Sequence, residues 1–580
     1  MNRHSLSSLI SLSLLTVAAC SDDQTTAESA TLGVTETAGD GDGDPTGDGD
    51  GDPTGDGDGE PTGDGDGEPT GDGDGEPTGD GDGDPTGDGD GDGDGDGDPT
   101  GDGDGDGDGD GDGDGDGDGP PIPETCEQAQ LGESTVGCLF YGVDLDSHDQ
   151  AELGQFAIAV SNVQQNQQAT VTVHRKQNNQ WNVVGGPTMV APLALHTFPL
   201  ADNHSDDSGV RVGGTYRVTS DVPIIAYQFN PVDGATSYLS DASMLYPVTA
   251  WDHFNEVVGW VSTNDGLGQQ GAYLTIAAAY DNTVVEVIPS VATLAGPGVP
   301  AGQPGVPFQI MLNEGDTAEV MTKTQGVGLT GTQVNSDEDH PIGVFSGQEC
   351  AFIPANVYAC DHLEEQLSGL RLWGEHFIAS RVPVRGNPPE TSLWQIYASE
   401  DGTVVELNAD PEVTGLPPGP INMSAGQLVQ FYAGGTQAIP GDFEVLANKP
   451  IAVVNYMTGS ENLANFSDQG DPAMVQMSPV EQFLPRYVVL VPGTWINDYA
   501  VITREMDAEI TIDGVPIPDQ SFVPVSDSFF EVARVPITDG VHLIDGGTQE
   551  FSVVILGYDT YDSYAYLGGT GTGIINPNPQ

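Results

Sequence analysis

The chain has 580 residues, with 91 Asp and Glu against 13 Lys and Arg, and a formal charge of −78. So few cations leave no face on which phosphates are neutralised, which excludes nucleic acid as a partner and electrostatic adsorption to an anionic membrane. The charge is concentrated: Asp40–Asp118 holds 33 of the acids and residues 1–38 hold four, so residues 121–580 carry 54 acids against 12 bases, a balance compatible with a folded, exported body.

In chain order, Arg3 is followed by an apolar run from Leu9 to Ala19 that is too short to span a bilayer and ends in Val17-Ala18-Ala19-Cys20. This resembles the signal of a bacterial lipoprotein, cut before Cys20, which then carries acyl chains. Residues 1–20 are therefore expected to be a signal peptide, with Cys20 the lipid attachment point in a bilayer. Ser21 resembles the residue found in lipoproteins sent onward to an outer membrane, so the expected location is the cell envelope, at the outer membrane or cell surface. Residues 21–123 read as a spacer. From Gly39 the chain is almost only Gly, Asp, Glu, Pro and Thr, with Pro-Thr pairs at 45, 53, 61, 69, 77 and 85 marking an eight-residue unit. Nothing apolar is available to offset backbone entropy, so a disordered acidic stalk is expected, with an r.m.s. span of roughly 50 Å before charge repulsion extends it. Gly-Asp repeats also suggest Ca²⁺, but no unit has the aliphatic residue a β-roll core needs.

Residues 124–580 form the body. Short runs rich in Val, Ile, Tyr, Phe and Thr, such as Ala169-Thr-Val-Thr-Val173 and Tyr273-Leu-Thr-Ile276, alternate with Gly, Pro, Asn and Asp. Period-two alternation between turn signals predicts antiparallel strands and an all-β fold. One piece, Asp361-His-Leu-Glu-Glu-Gln-Leu367, reads as helix-like. Three markers recur. Asp281-Asn-Thr-Val-Val-Glu286 and Asp401-Gly-Thr-Val-Val-Glu406 read as a repeated hairpin, with weaker copies at Ala169 and Ala508. A strand entered through proline occurs at Pro223, Pro341 and Pro450, with Phe551–Ile555 as its proline-free copy. Acidic turns at Asp241, Asp361 and Asp471 each precede an aromatic (Phe254, Phe377, Tyr487), and Asp562 begins a truncated fourth copy. Four repeats of about 105–120 residues follow, near 154–269, 270–391, 392–496 and 497–570. Each is long enough for a β-sandwich-like module, in tandem or pseudo-symmetric, with a propeller-like ring as the alternative.

Pro341-Ile-Gly-Val-Phe-Ser-Gly347, Cys350, Cys360-Asp-His-Leu-Glu-Glu-Gln366 and Trp373-Gly374 resemble the IgGFc-binding protein N-terminal domain family, as do Ser237–Pro247, Gly470–Met474 and Pro479–Gln482. The resemblance covers roughly 150–570. Ser368-Gly369 departs from it where prolines are expected. It implies an extracellular β-rich recognition domain and not a reaction, and it carries over no residue-level Fc site.

Apart from Cys20, the cysteines fall into two close pairs, Cys126/Cys138 and Cys350/Cys360, read as disulfides of an exported protein. A zinc site from Cys350, Cys360, His362 and His376 lacks a CxxC or HExxH frame. His362 beside Asp361 and Glu364 reads as a hydrogen-bonded turn histidine. The stronger binding candidates are Asp241, Asp361 and Asp471, either capping their turns through backbone N–H groups or coordinating Ca²⁺. Trp251, Trp260, Trp373, Trp394 and Trp495 recur near strand ends, as core or, where exposed, as stacking surfaces. With no nucleophile elbow, P-loop or dinucleotide motif, the reading is a surface lipoprotein that uses no catalytic residue and no cofactor apart from the Ca²⁺ option. Its body binds an extracellular protein or glycan. The alternatives are a passive structural component of the envelope or matrix, and behind it a hydrolase.

Overall fold

The computed structural model describes residues 122–232, 237–355, 357–464 and 469–579. The signal peptide, Cys20 and the spacer up to residue 121 lie outside them. Among the described residues no helix is long and apolar enough to cross a membrane. Asp108–Gln580 forms a compact unit, and its described residues carry two hydrophobic clusters of their own.

A short helix, α1 (Cys126–Leu131), opens the body. Thr125 and Gln128 form a reciprocal capping box at its start, and the Cys126–Cys138 disulfide ties it to the first strand. Eight strands follow: β1 (Gly137–Val143), β2 (Ala157–Asn162), β3 (Ala169–Gln177), β4 (Gln180–Val190), β5 (Leu195–Pro199), β6 (Gly209–Arg211), β7 (Thr215–Asn230) and β8 (Asp241–Met244). The long strand β7 is the spine. Its first half pairs with β1 and β3, and its second half with β2 and β8. Outside these, β4 joins β3 and β5 joins β2.

The same antiparallel pairings recur three more times. The spine is Gln333–Asn335 with Ile342–Phe352 in the second unit, Phe443–Tyr456 in the third, and Gly540–Asp545 with Phe551–Asp559 in the fourth. Each proline-entered run of the sequence lies in a spine. Each spine also carries a counterpart of β8 on its second half: Cys360–Gln366, Met474–Gln476 and Asp562–Leu567. In the first and third units these pairings share one continuous spine and one sheet, and in the second and fourth, where the spine is broken, they fall into two, which combines the sandwich and ring readings of the sequence. The β8 strand and its counterparts touch in a closed ring at the centre. The chain ends close the circle, with Thr135 N–H donating to Thr570 O and Thr572 N–H to Glu133 O. Between neighbours, β6 pairs with Thr317–Glu319 of the second unit.

Two sequence expectations are corrected. The repeated Asp-Asn-Thr and Asp-Gly-Thr motifs are corners and not hairpins: the strands on either side, Ala272–Ala278 and Thr283–Ile288, pair with different halves of the spine. Asn282 (φ 62°) and Gly402 (φ 74°) supply the left-handed residue, and the Thr283 and Thr403 hydroxyls donate back to Tyr280 O and Glu400 O. Asp361–Gln366 is strand and not helix. The intrinsic preference of Leu, Glu and Gln for helix is a few tenths of a kcal/mol per residue, and it yields to ladder bonds with the spine and to burial on both faces. The glycines of the Pro341–Gly347 motif have a packing reason as well. A Cβ on Gly343 would lie 2.8 Å from the Trp251 ring, and one on Gly347 would enter the Tyr273 ring.

Candidate ligand-binding site

The four aspartates at or near the start of the central strands, Asp241, Asp361, Asp471 and Asp562, are all fully buried around the axis. Asp241, Asp361 and Asp471 accept backbone N–H groups, as a cap does, but from buried positions. Asp241 is the best satisfied: its carboxylate accepts from Ala242 N–H (2.9 Å) and, across the ring, from Glu364 N–H (3.1 Å) and Ala565 N–H (3.4 Å). Asp562 accepts from the Ser240 amide and hydroxyl, Asp471 from Ser460 N–H at 2.9 Å, and Asp361 from its neighbour His362 N–H at 2.9 Å. One oxygen each of Asp361, Asp471 and Asp562 has no hydrogen-bond partner among the described residues.

Burial pushes all four carboxyls upward. For Asp361 the charges of Asp562, Asp471 and Asp241 add to it. Asp471 is raised to about 7 by burial, against the pull of Ser460 N–H. For Asp241 burial outweighs the amides of Ala242, Glu364, Ala565 and Met474, which act downward. Such a cluster ionises only at a cost of several kcal/mol unless opposite charge is supplied. Beside it, burial drives His362 down to about 3, so its ring stays neutral within the fold.

Above this cluster the end of the axis where the central strands start opens into a cavity of about 480 Å³, with Asp471 in its lining. Three tyrosines lie in its wall: Tyr238, Tyr358 and Tyr561, exposed by 49%, 59% and 36%. Each comes shortly before a central aspartate in its repeat. Tyr358 and Tyr561 face each other at 6.5 Å in an edge-on arrangement. Tyr238 (φ 59°) and Tyr561 (φ 53°) are in the left-handed region that bulky residues avoid, a strain of about 1–3 kcal/mol that concentrates at ligand sites. The Cys350–Cys360 disulfide forms part of the wall.

On another wall His148 Nε2 meets Asp265 Oδ2 at 2.8 Å, and its Nδ1 accepts from Gln150 N–H. Burial acts upward on Asp265, but Gly268 N–H, the His148 ring and Leu267 N–H outweigh it and hold the carboxyl low. With both ring nitrogens engaged, this pair pins two loops and presents no free base. Its ligating atoms lie close to Cys350 Sγ, but that sulfur is bonded to Cys360 and is no thiolate, so zinc has no site there. For the same reason the sequence-derived set of Cys350, Cys360, His362 and His376 fails. His376 bonds instead to Glu444 at 3.0 Å.

The tryptophans are core. Trp251, Trp260, Trp373, Trp394 and Trp495 are all buried. Trp251 and Trp373 donate to Tyr246 O and Ser368 O, closing equivalent bends after the central strands. The stacking surface falls to Tyr238, Tyr358 and Tyr561, whose places just upstream of Asp241, Asp361 and Asp562 are a readable signal in the sequence, one that Asp471 lacks.

A family model described as IgGFc binding protein matches residues 241–557, more than half of the chain. The chain belongs to that family. No curated protein and no solved structure matches it. The IgGFc binding protein family is named for binding and not for catalysis. The matched span takes in Asp241, Asp361, Asp471, Tyr358 and the second disulfide, while Tyr238, Tyr561 and Asp562 lie just beyond its ends.

Proposed function

We propose that this IgGFc binding protein family member is a lipid-anchored protein of the cell envelope whose β body captures a protein ligand outside the cell at the axial cavity. The observation that carries the reading is the cavity itself: about 480 Å³, rimmed by three solvent-facing tyrosines on a closed ring. Tyrosine offers contact area at little conformational cost and is enriched where proteins recognise one another. The lipobox ending in Cys20 and the acidic spacer of residues 21–123 support display at a distance from an outer membrane. The test is retention of envelope, matrix and IgG Fc fractions on residues 108–580 with disulfides intact. Saturable retention that falls at least tenfold in Tyr561→Leu supports the reading, and retention that is absent or indifferent to that change overturns it. Anchoring is checked separately by palmitate incorporation, expected in the full chain and lost in Cys20→Ala.

A further inference from the structure

Resting on that reading of the cavity, we propose that its ligand presents an organic cation, the alkylammonium group of a lysine-type side chain, to the tyrosine rim and aspartate floor. Three independent features converge on this chemistry. The described lining contains Asp471, Asp265 and three tyrosines but no lysine or arginine. Aromatic faces attract a cation by about 0.5–2 kcal/mol each, more as water is excluded. Beneath the floor, Asp361, Asp471 and Asp562 each leave a fully buried carboxyl oxygen without a hydrogen-bond partner among the described residues, and Arg385, whose charge acts on Asp471, is already committed to the carbonyls of Gln469 and Thr458. The excess of 54 acids over 12 bases in residues 121–580 draws cationic partners from a distance.

A bare divalent ion fits less well. Calcium gathers six to eight oxygens at about 2.4 Å, so its ligands lie within about 5 Å of one another. The described groups of His, Cys and acids that converge in this way are His148/Asp265/Cys350, Asp144/Asp202/His204 and Glu152/His204/Asp206, none of which includes an axial aspartate. A tyrosine rim also contributes nothing to a metal.

The probes are n-butylammonium, its neutral counterpart n-butanol, and CaCl₂, titrated calorimetrically into residues 108–580 at pH 8. Butylammonium is expected to bind saturably and at least tenfold more tightly than butanol. Asp471→Asn is expected to weaken it at least tenfold and Tyr561→Leu about fivefold, with Tyr280→Leu outside the cavity leaving it unchanged. A lysine-containing tripeptide binding more tightly than spermidine assigns the cation to a protein partner, and the reverse order assigns it to a free polyamine and overturns the side-chain source. Equal binding of butanol, amine binding untouched by Tyr561→Leu, or Ca²⁺ binding without an amine response overturns the inference. If the amine fails while macromolecular retention still falls in Tyr561→Leu, the cavity stands as the binding site and only the cation is lost.

Discussion

Two strands of the second repeat differ in what surrounds them. Thr283–Ile288 alternates strictly between buried and half-buried residues, as a strand with one face on the core does. Cys360–Gln366 is buried at every position after its first, although Asp361, His362, Glu364, Glu365 and Gln366 are all polar. The outer strand packs one face on the core and leaves the other half-buried. The central strand is covered by its own spine on one edge and by neighbouring units around the axis, so neither side is left to water. Alternation is a record of one-sided burial, and where both sides are closed it disappears.

Changes on these two strands and their neighbours sharpen the contrast. The largest effect is expected for Asp241→Ala, which leaves the buried amides of Ala242, Glu364 and Ala565 without their acceptor. Unsatisfied groups of this kind cost about 1–3 kcal/mol each, so a loss of at least 3 kcal/mol is expected in denaturant unfolding of residues 108–580. On the outer strand Val285→Ala removes fully buried apolar volume and is expected to cost about 2 kcal/mol in the same measurement.

A pH scan separates the regions further. Asp471, Asp144, Glu256 and Asp498 are each raised by burial to about 7. The folded protein therefore holds protons that the unfolded chain releases near pH 4, and the stability tied to them is present at low pH and lost as pH rises through about 7. The melting temperature is expected to climb from pH 8.5 to pH 6.5. His362, held down by burial to about 3, works in the opposite sense, and its cost appears only as pH falls below the unfolded value near 6.5. Asp471→Asn is expected to flatten part of the rise, and a melting temperature that drops from pH 8.5 to 6.5 contradicts the buried-acid account. The smallest effect is expected for Glu286→Thr on the half-buried side of the outer strand, within about 0.5 kcal/mol in denaturant unfolding.

Much of this was legible beforehand. The spine runs at Pro223, Pro341, Pro450 and Phe551 are β-rich and recur, and the strand pairings repeat in step with them. The disulfide partners were readable because each pair is close in sequence, 12 and 10 residues apart. The corners at Asn282 and Gly402 read as hairpins, since a tight turn looks the same in sequence whether the following strand folds back on its predecessor or crosses to the other half of a third one. Asp361–Gln366 reads as helix because its residue types favour helix locally and its burial comes from distant units.

The order of residues alone determined an all-β body of four related units, its family and its two local cross-links, because these depend on composition, periodicity and neighbours a few residues apart. Only the tertiary structure decided that Asp241, Asp361, Asp471 and Asp562 meet, that they do so buried beneath a cavity, and that Tyr238, Tyr358 and Tyr561 form its rim. Residues far apart in sequence acquire a shared electrostatic environment only when the circle closes, and the ring that excludes water from those carboxyls is what turns four ordinary acids into a site.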